Sequence, residues 1–174
     1  MTKARLFETS GVTGHLLEHE MLGSGHYSEE GEYQPYREAM RYVKEHQPFD
    51  PSDPAPRFAN DVHATIADML GLEDYSQLKF FTAVSSLLDK CHGIDGFFEL
   101  EDADNPHKVL RVTIDITKNP AKGEDYKADI IITVPRDGLD PKDDKEAFSA
   151  LVNKTAAAIT ERLKLQGLPQ TVAS

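Results

Sequence analysis

Residues 109–117 read VLRVTIDIT and alternate without a break. Leu110, Val112, Ile114 and Ile116 fall on one side, and Arg111, Thr113, Asp115 and Thr117 on the other. A period of two is what a pleated strand converts into two faces, one apolar and one polar. Such a strand needs a partner edge and a cover for its apolar face, so this segment commits the chain to a sheet with something packed on it. The partner is close at hand. Residues 94–100 (IDGFFEL) are aromatic and alternating, and the intervening EDADNPHK is a polar turn, so the two runs are expected to pair as a hairpin. Residues 128–134 (ADIIITV) form a β-branched run that reads as a strand buried on both faces.

Helical periods surround these strands. Asn60 or Asp61 is expected to cap a helix in which Val62, Ile66, Met69 and Leu70 share a face, with Gly71 at its end. Ser76 is expected to cap a second helix reaching Cys91. Its stripe is Leu78, Phe81, Val84 and Leu88, widened by Phe80, Leu87 and Cys91. Residues 145–165 predict a long helix whose inner face holds Phe148, Leu151, Val152, Thr155, Ile159 and Leu163, stopped by Gly167 and Pro169. The order helix, helix, strand, strand, strand, helix predicts an α/β domain over 59–168, with a central mixed sheet of three or more strands flanked by helices. Ahead of it, residues 1–58 read as an irregular arm with one helix over 36–46 (Tyr36, Met40 and Val43 on one stripe). A connector follows in which Pro48, Pro51, Pro54 and Pro56 remove backbone donors. Residues 169–174 read as a tail.

Composition narrows the function. With 19 Lys and Arg against 30 Asp and Glu in 174 residues, the formal charge is −11. That weakens bulk phosphate-backbone binding, which wants a net basic surface, and any nucleic-acid site needs local cations or metal ions. One cysteine, Cys91, excludes an intramolecular disulfide framework. The start MTKARLFETSG has no apolar leader core, and no run reaches the ~20 apolar residues of a membrane span. The expectation is a cytoplasmic protein without a membrane partner.

Chemistry concentrates on two aspartates. Asp95 opens the first hairpin strand and Asp115 lies near the end of the second, so the hairpin brings both carboxylates to one end of the sheet. Two converging carboxylates raise a pKa unless a divalent cation lies between them. Mg²⁺ or Mn²⁺ with oxygen ligands and retained waters suits such a site, and phosphodiester hydrolysis is the chemistry it serves.

A helix, GIDGFFEL, VLRVTIDITKNPAK, a third strand and a closing helix together resemble the core of the PD-(D/E)XK, or restriction-endonuclease-like, nuclease superfamily. The likeness covers roughly residues 76–165. It implies a central sheet flanked by helices, an acid on the second core strand and an acid-x-Lys triplet on the third. Asp95 then stands for the first acid and Asp115-Ile116-Thr117 for the triplet, in a D-x-T variant with Thr where Lys is expected. The resemblance implies a Mg²⁺- or Mn²⁺-dependent nuclease acting on DNA, with Lys118 or Lys122 as the displaced lysine, or a fold whose activity is weakened.

Two other readings stay open. His15-Leu16-Leu17-Glu18-His19 spells HxxEH, which on a helix sets two histidines on one face to bind zinc beside a glutamate base. The run GHLLEHEMLGSGHYSEEGEY resembles the corresponding segment of insulinase-type peptidases and implies a zinc hydrolase. Those enzymes need a third, glutamate ligand on a downstream helix, whereas this chain has a strand pattern there, and Gly11, Gly14, Gly23 and Gly25 crowd the motif. The alternative is a non-enzymatic acidic interaction protein, a DNA mimic being one version. Its N-terminal arm would dock a protein partner through Tyr27, Tyr33, Tyr36 and Tyr42.

Overall fold

The structure is a computed structural model, and it describes residues 17–25, 27, 33–102, 104–118, 128–135 and 138–167. It is a mixed α/β fold. A helical stretch over 17–22 precedes α1 (Tyr36–Glu45) and α2 (Arg57–Leu70). A 3-10 turn at Tyr75–Gln77 leads into β1 (Leu78–Thr82), and α3 (Leu87–His92), β2 (Gly96–Asp102), β3 (Asn105–Thr117), β4 (Ile130–Thr133) and α4 (Lys145–Leu165) follow. The four strands form one sheet in the order β1-β2-β3-β4, antiparallel for the first two pairings and parallel between β3 and β4.

The hairpin forms as its alternation requires. Phe98 lies opposite both Phe80 and Val112, Phe97 opposite Phe81 and Thr113, and Gly96 opposite Ile114. One face, here the core face, buries Leu78, Phe80, Phe98, Leu100, Leu110, Val112, Ile114 and Ile116 beneath α2 and α4. The second face carries Phe81 and Phe97, whose rings stack at 5.1 Å, and α1 and α3 cover them with Ala39, Met40, Val43 and Leu88. Gly96 is required where Phe80 crosses the hairpin, because a Cβ there would sit 2.9 Å from the Phe80 ring.

Several elements depart from the sequence expectation. The helix expected over 76–91 is instead a strand followed by a short helix. Leu78–Thr82 fits a period of two as well as of 3.6, and the rings of Phe97 and Phe98 supply the cross-strand pairs that decide for the strand. Ser76 does not begin a helix; the cap of α3 is Ser86, whose hydroxyl accepts from the Asp89 N–H at 3.3 Å. α2 starts at Arg57, ahead of the expected caps. Asn60 instead ties down the proline loop, donating to Pro54 O at 2.8 Å and Asp53 Oδ1 at 3.1 Å. Gly71 ends α2 at φ 67°, as expected, while Met69 is exposed. β4 is an edge strand, with Thr133 exposed and Ile130 and Ile131 only half-buried, so it is not covered on both faces. Strand pairing extends into the expected turn, to Asp102 and from Asn105. α4 spans the predicted residues and buries Phe148, Val152, Thr155, Ile159 and Leu163.

The segment ahead of the connector contributes to the body of the fold. Leu17, Met21 and Leu22 join the cluster on the core face, and Gly23 ends their helical turn at φ 77°. Thr82 Oγ1 donates to Gly23 O at 2.8 Å and Ser24 Oγ to Val84 O at 3.3 Å, which fixes this turn at the end of β1. The connector shields the β1 edge: Phe80 N–H donates to Pro51 O at 2.8 Å and Thr82 N–H to Gln47 Oε1 at 2.9 Å. Buried His63 of α2 meets Leu78 O through Nε2 at 2.6 Å, and burial holds its pKa below the usual range. Leu17→Ala is therefore expected to cost about 2–5 kcal/mol in urea denaturation, the value of a buried leucine. A loss below about 0.5 kcal/mol, typical of a surface site, would make the segment a mere appendage.

Candidate metal centre

Asp95 immediately precedes β2, and its main chain already pairs on both sides. Its N–H donates to Ile114 O at 2.9 Å, and its carbonyl accepts from Ala83 N–H at 2.8 Å. Continuing the β2–β3 register by one position sets Asp95 opposite Asp115. Directly opposed residues have Cβ atoms about 4.5–5.5 Å apart on the same face, so the two carboxylates meet on the second face, and their side chains are hydrogen-bonded. Asp95 Oδ2 also accepts the Ile116 N–H at 2.7 Å. The expected convergence of the two acids is what the fold contains.

Two further carboxylates lie beside Asp95. One oxygen from each of Glu18, Asp89 and Asp95 lies within 4.8 Å of the others. Asp95 is 1% exposed. Burial, then the nearby charges of Glu18 and Asp89, then the hydrogen bond and charge of Asp115, push its carboxyl up to about 10. At neutral pH and without a cation, Asp95 therefore holds a proton.

Each added carboxylate has a local cause. Asp89 is the third residue of α3, whose N-cap is Ser86, so the helix start fixes its position. Its Oδ2 accepts the Ser85 N–H at 3.0 Å. Ser85 has φ 75°, a left-handed conformation that a serine adopts only under constraint from its surroundings. Ser85 Oγ lies 3.3 Å from His19 Nε2. Glu18 of the HLLEH motif lies in the helical stretch over 17–22, so this part of the motif and the hairpin aspartates, read separately from the chain, lead to one place. Asp89 escaped the sequence reading because it fell inside a single expected helix. The pattern Ser86-x-x-Asp89 followed by Gly93 is the cap signal that marks it.

The remaining candidates divide. Thr117 is buried at the end of β3, and Lys118 follows it half-buried. Lys122 and His15 lie outside the described residues. His19 is beside Ser85 and is not among the clustered groups, which among the described residues are all carboxylates. Three oxygens of this kind suit a hard cation such as Mg²⁺ or Mn²⁺ better than zinc, which prefers nitrogen and sulfur. His92, at the end of α3, meets Gln34 O through Nε2 at 2.8 Å and sits between the rings of Tyr33 and Tyr36. Its role is to fasten the approach to α1.

Fold and site together define a mixed α/β domain with a carboxylate cluster centred on the buried Asp95 at one end of its sheet. Comparison of the chain with protein-family models, with curated proteins and with solved structures gave no match. Among the described residues, no helix is long and apolar enough to cross a membrane.

Proposed function

We propose that this protein is a Mg²⁺- or Mn²⁺-dependent phosphodiester hydrolase acting on nucleic acid, built on a restriction-endonuclease-like core. The observation that carries the reading is the meeting of Asp95 and Asp115 across the β2–β3 hairpin, with Glu18 and Asp89 clustered around Asp95. Strand order adds support. With β1 present, Asp95 stands at the entry to the second strand of the sheet and Asp115 lies in the third, close to the arrangement that the resemblance implies.

Glu18, Asp89 and Asp95 are the residues that would hold the cation, with Asp115 in hydrogen-bonding reach of Asp95. When bound, such a cation lowers the pKa of a water and offsets phosphate charge. The protein's own groups do the rest. Asp95 must give up its proton for the site to load, so loading releases that proton and strengthens as pH rises. The Ile116 N–H orients Asp95, and the Ser85 N–H orients Asp89. Thr117 lies two residues beyond Asp115 on the same face, where it can hydrogen-bond but cannot bring the positive charge of a lysine. Lys118 or Lys122 is the side chain proposed for that role.

The test is cleavage of end-labelled single- and double-stranded oligonucleotides with Mg²⁺, Mn²⁺ or EDTA. Asp115→Ala is expected to reduce the metal-dependent rate by at least the roughly 10–100-fold that losing a group around a metal costs. Cleavage that survives the substitution would place the chemistry elsewhere. Tight binding of the cation without any cleavage would make this a binding protein on the same core.

A further inference from the structure

A chain of charge −11 nevertheless gathers cations along one helix. Two clefts of about 460 and 360 Å³ adjoin on the second face of the sheet and share Tyr36 and Arg111 as walls. The larger runs along α1 and is lined by Arg37, Arg41, Lys44 and Arg111. Arg37 and Arg41 form no ion pair with any described residue. Lys44 and Arg111 share one buried carboxylate: Glu99 Oε1 lies 2.8 Å from Lys44 Nζ, and Glu99 Oε2 lies 2.5 Å from Arg111 Nη2. One acid between two bases holds both side chains in place and leaves net positive charge, and among the described residues the only other acid on that wall is Glu45. The smaller cleft is lined by Tyr36, His92, Ile94, Thr113 and Asp129 besides Arg111.

The floor of this groove is β3 itself. Arg111, Thr113 and Asp115 are successive residues on one strand face, so the path from the Arg111 guanidinium to the carboxylate cluster follows roughly 13 Å of strand. Ile94, in the wall of the smaller cleft, directly precedes Asp95. At the junction of the clefts, Tyr36 is 39% exposed and packs edge-on against His92 at 5.7 Å, with Tyr33 beside them 66% exposed. Cations that track a backbone, next to exposed aromatic faces that accept unstacked bases, are the equipment of single-strand binders. A duplex would offer its bases only inside the stack, and its second strand would meet the acidic remainder of the surface.

We propose that this groove binds a single-stranded polynucleotide, phosphates on Arg37, Arg41, Lys44 and Arg111 and a base on Tyr36, and feeds the strand toward Asp95 and Asp115. The delivery rests on the proposed hydrolase reading; the binding does not, because none of these groups is a metal ligand.

The experiment is fluorescence anisotropy of a labelled dT oligonucleotide in EDTA, with Mg²⁺ binding by the unaltered protein measured separately by calorimetry. Binding is expected to weaken with salt at a log–log slope near −0.7 per phosphate neutralised. The double variant Arg37→Glu, Arg41→Glu, both on the exposed side of α1, should weaken it more than tenfold and flatten the slope by about 1.4. Tyr36→Ala should weaken it about fivefold or more with the slope unchanged. Equal affinity of the double variant, preference for a duplex of the same length, or equally good displacement by polyglutamate would overturn the proposal, the last in favour of an acidic peptide. Oligonucleotide binding by a protein that binds no Mg²⁺ would remove the hydrolase reading alone; Mg²⁺ binding without oligonucleotide binding would remove the groove alone.

Discussion

Asp95→Asn is expected to stabilise the cation-free protein at neutral and alkaline pH while abolishing the proposed binding of divalent cations. The sign follows from the proton that Asp95 holds. Its folded pKa, about 10, lies above the ordinary aspartate value near 3.9. Below pH 4 both folded and unfolded chains carry the proton, and the stabilisation is fully present. Between those limits only the folded state carries it, so stability declines as pH rises, by up to about 1.4 kcal/mol per pH unit, and the contribution is gone above pH 10. Asparagine reproduces the neutral acid. Its oxygen can accept the Ile116 N–H, and its amide can donate to Asp115, with no charge to desolvate. Urea denaturation in EDTA at pH 5 and pH 9 checks this: the advantage of the variant should grow with pH. With excess Mg²⁺ the order should reverse, because only the unaltered protein gains the stabilisation that ligand binding confers. Parallel pH profiles for the two proteins would mean that Asp95 is not the buried, protonated group, and the cluster would lose its centre.

Phe98→Ala is expected to cost about 3–5 kcal/mol, the range for deleting a buried aromatic ring. Phe98 is 1% exposed, its ring centroid lies 4.8 Å from that of Phe80, and it faces Val112 across the hairpin. Such a loss consumes much of the ~5–15 kcal/mol that holds a domain together. It also loosens the hairpin that opposes Asp95 to Asp115, so cation affinity should fall with stability although no ligand is touched. Chemical denaturation and Mg²⁺ titration of the same preparation check both. A loss under about 1 kcal/mol would mean that α2 and α4 do not close over the sheet as described.

The parts of the fold that were legible before any coordinates are those where one period has no competitor. Residues 109–117 alternate too long and too cleanly for anything but a strand, and 145–165 keep a helical stripe too long for anything else. Residues 78–82 fit both periods, and no local rule separates them. The neighbouring rings of Phe97 and Phe98, distant in a helical reading, made the choice. The same limit applied to the site. Asp95 and Asp115 could be paired on paper because a hairpin is a local object with one register. Glu18 could not be added to them. Its distance in sequence from Asp95 gives no hint of contact, and its glycine-rich surroundings argued against a stable helix. Burial of Leu17, Met21 and Leu22 outweighed that propensity, since tertiary packing stabilises a short helix more than its own residues do.

Residue order alone therefore determined the hairpin, the closing helix and the opposition of two acids, all of which follow from periodicity and nearest-neighbour pairing. Tertiary structure alone decided that β1 is a strand, that Glu18 and Asp89 complete the acidic cluster, and that four cations line one groove of an acidic protein. Those outcomes depend on which surfaces bury each other across long stretches of chain, and that competition is settled only when the whole molecule packs.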